Sequence, residues 1–334
     1  MKNNPLISVV LPTYNVAQYL QQCLESVAAQ TYRNIEVIII IDGATDGSYE
    51  IAQEFCKKDN RFAVYWQENA GSGPARNNGL AHCQGEFVMF VDPDDWIEPE
   101  LVEKLYEAQQ EGNYDLVASG RAMYLTDDND NILRIEKNPC DDFESKDITK
   151  IRQLYIKMLT SEVVSAPTRK LYRYSIIQDQ HVEFPDFRRS QDICFNYRYY
   201  HHISSLRLIS YIGYNYRRPA KSLGSKFRRD YYKTISTLYS DIKKMYNEWG
   251  MEYDKFTLCN YFFRYRISPL LQQYAATGWN IKDFTEDGVI HEIILNCHPK
   301  GMHLKLMRTL ILKKKYYAAS LLSKLLLKYR KKNM

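Results

Sequence analysis

The sequence predicts an α/β fold: a mostly parallel β-sheet with helices on both faces. Three observations carry that prediction. Short apolar runs rich in Val and Ile recur through the first hundred residues. Segments of helical period separate them, the alternation expected of strand–helix–strand units. Polar and acidic residues gather where each run ends, and in open sheets of this kind ligands bind outside the carboxyl ends of the strands.

Residues 6–11 read as the first strand, which ends at Pro12-Thr13-Tyr14-Asn15. Tyr19, Leu20, Cys23, Leu24 and Val27 then fall on one helical face. Residues 35–41 are apolar almost without a break, as strands buried on both faces are, and they end at Asp42-Gly43. Ile51, Ala52 and Phe55 mark a second helix. Asp46 is placed to cap it, with Gly43 and Gly47 permitting the turn before. A third strand, 62–66, ends at Gln67-Glu68-Asn69.

The fourth strand, 87–91, runs into Asp92-Pro93-Asp94-Asp95. Pro93 stops the strand, so three carboxylates share a tight turn. They repel one another unless a cation lies between them. Asp-x-Asp on a turn suits a hard divalent ion, Mg²⁺ or Mn²⁺, that keeps positions open for phosphate oxygens. The plainer reading is an Asx-type turn with solvated acids. No G-x-G-x-x-G follows the first strand and no G-x-x-x-x-G-K-[ST] occurs, which argues against a dinucleotide fold or a P-loop.

Further along, Ile193, Cys194, Tyr197 and Tyr200 lie at helical spacing, with Asp192 in the first turn. Residues 214–222 are basic and aromatic. They read as a loop in which Arg217, Arg218, Lys221 and Ser222 either close over a diphosphate or present an acceptor sugar; a solvated basic loop is the alternative. Residues 227–300 follow helical periods without a motif. His201-His202 has no partner at metal-ligand spacing.

These residues resemble the family 2 glycosyltransferases, which have a GT-A fold, a Rossmann-like sheet flanked by helices. The resemblance runs through most of residues 5–225. Its anchors are Pro12-Thr13-Tyr14-Asn15, Asp42-Gly43-Ala44-Thr45-Asp46-Gly47-Ser48, Gly73-Pro74-Ala75-Arg76-Asn77, Asp92-Pro93-Asp94-Asp95 and Gln191-Asp192. It implies that Thr13 and Asn15 with Asp42 hold the uridine base of a UDP-sugar, that Pro12 and Tyr14 belong to the same nucleotide site, and that Arg76 reaches the base. It implies further that Asp92 contacts the ribose, that Asp94, with Asp95, binds a metal on the diphosphate, and that Asp192 is the general base. Two positions depart from the pattern. Ile41 stands where the family often has a first acid, and Gln191 where it usually has Glu.

The 334 residues allow a catalytic domain over 1–225 and a helical region over 226–334. Seven scattered cysteines with no C-x-x-C pair point to reduced thiols and a cytoplasmic setting. No signal peptide opens the chain, and no apolar run nears the roughly 20 residues that span a bilayer. The net charge of +5 hides an asymmetry: residues 301–334 hold ten Lys and Arg and no Asp or Glu. Their helical pattern puts Ala318, Leu321, Leu322, Leu325 and Tyr329 on one face, with Lys324 and Lys328 on another. Such a helix either packs apolar face inward or lies on an anionic membrane. The resemblance favours the membrane.

The reading is a metal-dependent, inverting glycosyltransferase, peripheral at the inner face of a bacterial membrane. It moves a sugar from a UDP-sugar to a hydroxyl of a growing surface glycan, such as a lipid-linked capsular polysaccharide. A metal-dependent nucleotidyltransferase and a non-catalytic sugar-nucleotide binder at a membrane complex stay as alternatives. Nucleic-acid binding lacks any motif.

Overall fold

The computed structural model describes residues 4–127, 129–187, 189–219 and 229–332. Lys221 and Ser222, two of the basic candidates, lie outside the described residues. The chain divides into two compact units, Met1–Lys221 and Ser222–Met334.

The first unit opens as its sequence predicts. β1 (Ile7–Thr13), α1 (Ala17–Ala28), β2 (Ile35–Asp42), α2 (Ser48–Lys58), β3 (Phe62–Gln67), α3 (Ser72–His82) and β4 (Phe87–Phe90) follow in order. β1 pairs in parallel with both β2 and β4, and β2 with β3. Every residue of β1 and seven of the eight in β2 are buried. That burial explains their uninterrupted apolar character. Gly47, and not Asp46, takes the cap position of α2; Asp46, just ahead of it, bonds to Ser48 and ties α1 down. Its Oδ1 accepts from the Ser48 N–H and hydroxyl, and its Oδ2 from the Ala17 N–H at 2.8 Å. These hydrogen bonds outweigh burial and hold its pKa below the usual carboxylate range.

The sheet then changes character. β5 (Trp96–Ile97), α4 (Leu101–Gly112), β6 (Leu116–Thr126), β7 (Ile132–Asn138), β8 (Phe143–Ser145), α5 (Ile148–Thr160), β9 (Lys170–Arg173), α6 (Tyr174–Asp179), α7 (Gln191–His202) and β10 (Leu206–Pro219) complete the unit. The strand order is β3-β2-β1-β4-β9-β6-β10-β5, with β7 on β6 and β8 on β10. β9 is antiparallel to both β4 and β6, while β6 and β10 run parallel. The parallel expectation therefore covers the nucleotide-type half, and the sheet as a whole is mixed.

One assignment needs correction. Residues 214–219 are not a loop but the end of β10, paired with residues 121–126 of β6. Strand formation in so basic a segment depends on partners far away in sequence, described below.

The second unit is helical: α8 (Tyr231–Glu248), α9 (Lys255–Phe262), a π-helical turn at Phe263–Ile267, α10 (Ser268–Thr277), α11 (Lys282–Thr285), α12 (Gly288–Asn296), α13 (Met302–Leu312) and α14 (Tyr316–Lys332). α14 packs on α10 and α13. Its inward residues are small: Ala319 and Ser323 are fully buried. Tyr317, Leu321, Leu325 and Tyr329 point outward and are between 52% and 85% exposed, with Lys324 and Lys328 beside them. The packed alternative therefore holds in a different form from the one the pattern offered: α14 packs, but through Ala319 and Ser323 and not through Leu321 and Leu325, because close approach to α10 takes the small side chains. Among the described residues no helix is long and apolar enough to cross a membrane.

Candidate active site

The carboxyl ends of β1, β2 and β4 and the first turn of α7 supply the candidate groups, and one arginine joins two of them. Arg76, in α3, is 4% exposed. One guanidinium nitrogen meets Asp92 Oδ1 at 2.7 Å and the other meets Asp192 Oδ1 at 3.0 Å. The two carboxylates, a hundred residues apart in sequence, are thereby held one guanidinium apart. The fork geometry of arginine suits this double contact. Burial opposes the charge on Arg76, but Asp192 and Asp92 outweigh it and raise its pKa. The guanidinium also lies over the Phe184 ring at 5.3 Å. Phe184 stacks on Phe195 of α7, and its backbone exchanges two hydrogen bonds with the Asn77 side chain. Nothing in the local pattern around Phe184 signals this role.

Arg76, placed by the resemblance in the loop that reaches the base, has both arms of its guanidinium engaged within the protein, by the acid of the β4 turn and by the predicted general base. Asp192 itself sits where expected, in the first turn of α7 with its side chain 36% exposed. Gln191 is turned the other way. It is buried, and its amide N–H donates to the Ser72 hydroxyl. It stabilises the seam between α7 and the start of α3 and does not touch Asp192 through that amide.

The acidic turn is clamped by β10. The Tyr214 hydroxyl accepts from the Asp92 N–H at 3.1 Å and donates to Asp95 Oδ2 at 2.7 Å. The Arg217 N–H donates to Asp95 Oδ1 at 2.8 Å, and Arg217 Nε donates to the Asp94 carbonyl at 3.0 Å. The rest of the Arg217 guanidinium pairs with Asp130 and Gln22 and lies over the rings of Tyr19 and Trp96. Arg217 is thus a buried anchor of the turn and not a mobile diphosphate contact. Arg218 is half-buried and directs one nitrogen at the Met123 sulfur.

These contacts sort the acids. Asp95 is 1% exposed with both oxygens bonded inside the protein, so it shapes the turn and is not open to a metal. Burial, then the charges of Asp94 and Asp92, push its pKa well above the usual range. Asp92 and Asp94 are half-buried. Asp94 is pushed up to about 6 by burial and then by the Asp92 charge. A carboxylate held at such cost beside another suits a cation and phosphate oxygens. Among the described residues, though, no group of three or more His, Cys, Asp or Glu side chains is placed to hold a metal.

The remaining nucleotide candidates are divided. Asn15 is exposed in the left-handed region at φ 49°, its Oδ1 accepting from the Thr45 N–H. Tyr14 is 49% exposed. Pro12 and Thr13 are buried within β1, with the Thr13 hydroxyl on the Leu11 carbonyl at 3.3 Å. Asp42 is 2% exposed. It accepts from Gln67 Nε2 and from the Ala70 and Gly71 N–H groups, each at 2.8 Å. A carboxylate has about four lone-pair positions. Three of these are spent on pinning the turn that leads into α3. Gly43 beside it has φ 68°, and a Cβ there would meet the Asn69 nitrogen at 2.8 Å.

Tyr214 went unassigned by sequence. Tyr214→Phe removes one hydroxyl that serves two buried groups and leaves both short of a partner. A loss of about 1–3 kcal/mol is expected in thermal or urea unfolding, with weaker donor binding because the acidic turn loosens. Unchanged stability and affinity together would show the clamp to be incidental.

The site thus consists of an acidic turn at the end of β4, joined through Arg76 to a carboxylate at the start of α7, on a mixed α/β sheet. The model of the Glycosyl transferase family 2 matches residues 8–180, and the chain belongs to that family. It is 33% identical over 244 residues to EpsH of Bacillus subtilis (strain 168), spanning 70% of this chain and 67% of that one. It is 35% identical over 223 residues to the glycosyltransferase GlyG of Streptococcus pneumoniae serotype 4, spanning 65% of this chain and 72% of GlyG. Among solved structures, residues 1–349 of S. aureus TarS in complex with UDP-GlcNAc superimpose with a TM-score of 0.66. That match covers 97% of this chain and 91% of TarS 1–349 at 20% identity, a likeness of fold.

Proposed function

We propose that the protein is an inverting glycosyltransferase that moves a sugar from a UDP-sugar to a hydroxyl of a surface glycan. The observation that carries this reading is the Arg76 bridge, which sets Asp192 beside the acid of the β4 turn. In the proposed step Asp192 takes the proton of the acceptor hydroxyl. That oxygen forms the new bond to the anomeric carbon, and the bond to the diphosphate breaks. A positioned base contributes about 10²–10⁴-fold in rate. TarS, whose fold this chain resembles, has been solved with UDP-GlcNAc and with UDP, which supports the uridine donor. A divalent ion would neutralise charge on the leaving diphosphate. Asp94, half-buried beside Asp92 with its pKa raised by burial, is the residue suited to hold it.

The test is thermal stability against UDP and a panel of nucleotide-sugars, with and without Mn²⁺. A ligand bound to the folded state raises apparent stability by mass action. A metal-dependent rise with UDP in the wild type and none in Asp94→Ala is expected. Metal-independent UDP binding would remove the metal from the reading. No response to any uridine nucleotide would leave a non-catalytic binder of something else.

We infer as well that the protein works at an anionic membrane surface, where a lipid-linked acceptor would lie. The outward row of α14 and the ten basic residues of 301–334 support this. A basic helix with exposed Leu and Tyr suits the headgroup layer, at about 1 kcal/mol for each cation near it. Leu321→Glu with Leu325→Glu, both exposed, should leave the fold intact and cut binding to phosphatidylglycerol-containing vesicles at least about tenfold. Undiminished binding would place the contact elsewhere.

A further inference from the structure

β7 is an edge strand: among the described residues it pairs only with β6. It is also unusually apolar for an edge. Ile132 and Leu133 are each 56% exposed and Ile135 is 46% exposed. Soluble proteins usually blunt such edges with proline, a bulge or inward charge, because an open row of backbone donors and acceptors recruits another strand. β7 has no proline between residues 132 and 138; its one bulge falls at Leu133, near its start, and Arg134–Asn138 keep a regular register with β6. Nothing in the glycosyl-transfer reading uses this strand.

The order of its charges indicates what would pair there. β7 reads Ile132-Leu133-Arg134-Ile135-Glu136-Lys137-Asn138. Within one strand Arg134 pairs with Glu136; set antiparallel against a second β7 with the two-fold at Ile135, Arg134 exchanges this contact for the partner's Glu136, and the reverse pair forms by symmetry. Ile135 meets the partner's Ile135 at the centre. Moving the two-fold to Arg134 opposes two arginines, and moving it to Glu136 opposes two glutamates. Opposite charges directly across a strand pair are favourable and like charges are not, so of these three registers the charge pattern favours the one centred on Ile135. An interface related by a two-fold must be self-complementary, and this strand is.

We propose that β7 is a homodimer seam, joining two copies of this chain edge to edge into one continuous sheet centred on Ile135. The seam is short, so the dimer is expected to be weak and concentration-dependent. It is independent of the transfer reaction and of the membrane reading.

Sedimentation equilibrium on the full chain, over a wide concentration range and without lipid, tests it. The wild type should shift reversibly from monomer to dimer. Glu136→Arg, at a half-exposed site, opposes Arg134 with a new cation and should weaken association about tenfold. Exchanging both charges, Arg134→Glu with Glu136→Arg, recreates the same cross-strand pairs and should restore it. Because that exchange also re-forms the contact within each strand, the discriminating arm mixes the two single variants: Arg134→Glu and Glu136→Arg should each associate weakly alone and form a heterodimer together. Circular dichroism of each variant confirms that the fold is kept. A wild type that stays monomeric throughout, or a dimer indifferent to Glu136→Arg, would overturn the proposal. So would a double exchange that fails to restore association in a folded protein.

Discussion

Asp192→Asn is expected to cut sugar transfer by about 10²–10⁴-fold while leaving affinity for UDP unchanged. The side chain keeps its size and one oxygen, so α7 and its packing should survive. What disappears, on the proposed mechanism, is the group that takes the proton from the acceptor hydroxyl. Arg76 keeps its 2.7 Å contact to Asp92, so the acidic turn stays anchored on one side. The discriminating comparison is kcat against donor affinity. A fall confined to kcat assigns Asp192 to the chemical step. A fall confined to donor affinity would place it in the nucleotide site, and substantial transfer with normal affinity would mean that another group removes the proton.

How much of this site was legible differs residue by residue, and the differences have physical causes. β1, β2 and β4 are buried on both sides, so their apolar runs alone announce them. Asp192 was legible because a helix start has a spacing signature and a family motif falls on it. β9 was not, since Lys170 is fully buried in a four-residue strand where composition argues for a surface. β10 was misread for a related reason. Arg217 looks solvent-seeking in sequence, but Asp130, Gln22, Tyr19 and Trp96 satisfy it from 87 to 198 positions away. Asp95 and Asp42 show the converse: acids on a turn, read as ligands for something outside the chain, are largely spent on bonds within it. Sequence identifies charged groups near strand ends. Which of them stay open to a ligand depends on long-range partners that no local pattern encodes.

Arg76 is where structure and stability are bound most tightly together. Arg76→Ala leaves Asp92 and Asp192 facing each other without a cation and strips a stacked group from Phe184. Removing one member of a buried ionic group typically costs about 3–5 kcal/mol. Both carboxylates keep some contact with water, so the lower end applies, and the melting temperature should drop by roughly 6–12 °C. Arg76→Lys separates fold from function. A lysine preserves the charge but has one compact ammonium, which cannot meet two carboxylates at once as the guanidinium fork does. Most of the stability should return while kcat stays depressed, because Asp192 is no longer held relative to the β4 turn; donor KM should move little. Were donor KM to rise more than kcat falls, Arg76 would be acting as a nucleotide contact, the role its sequence motif first suggested. Full activity in Arg76→Lys would show that neutralising the two acids is enough and that their spacing is set elsewhere.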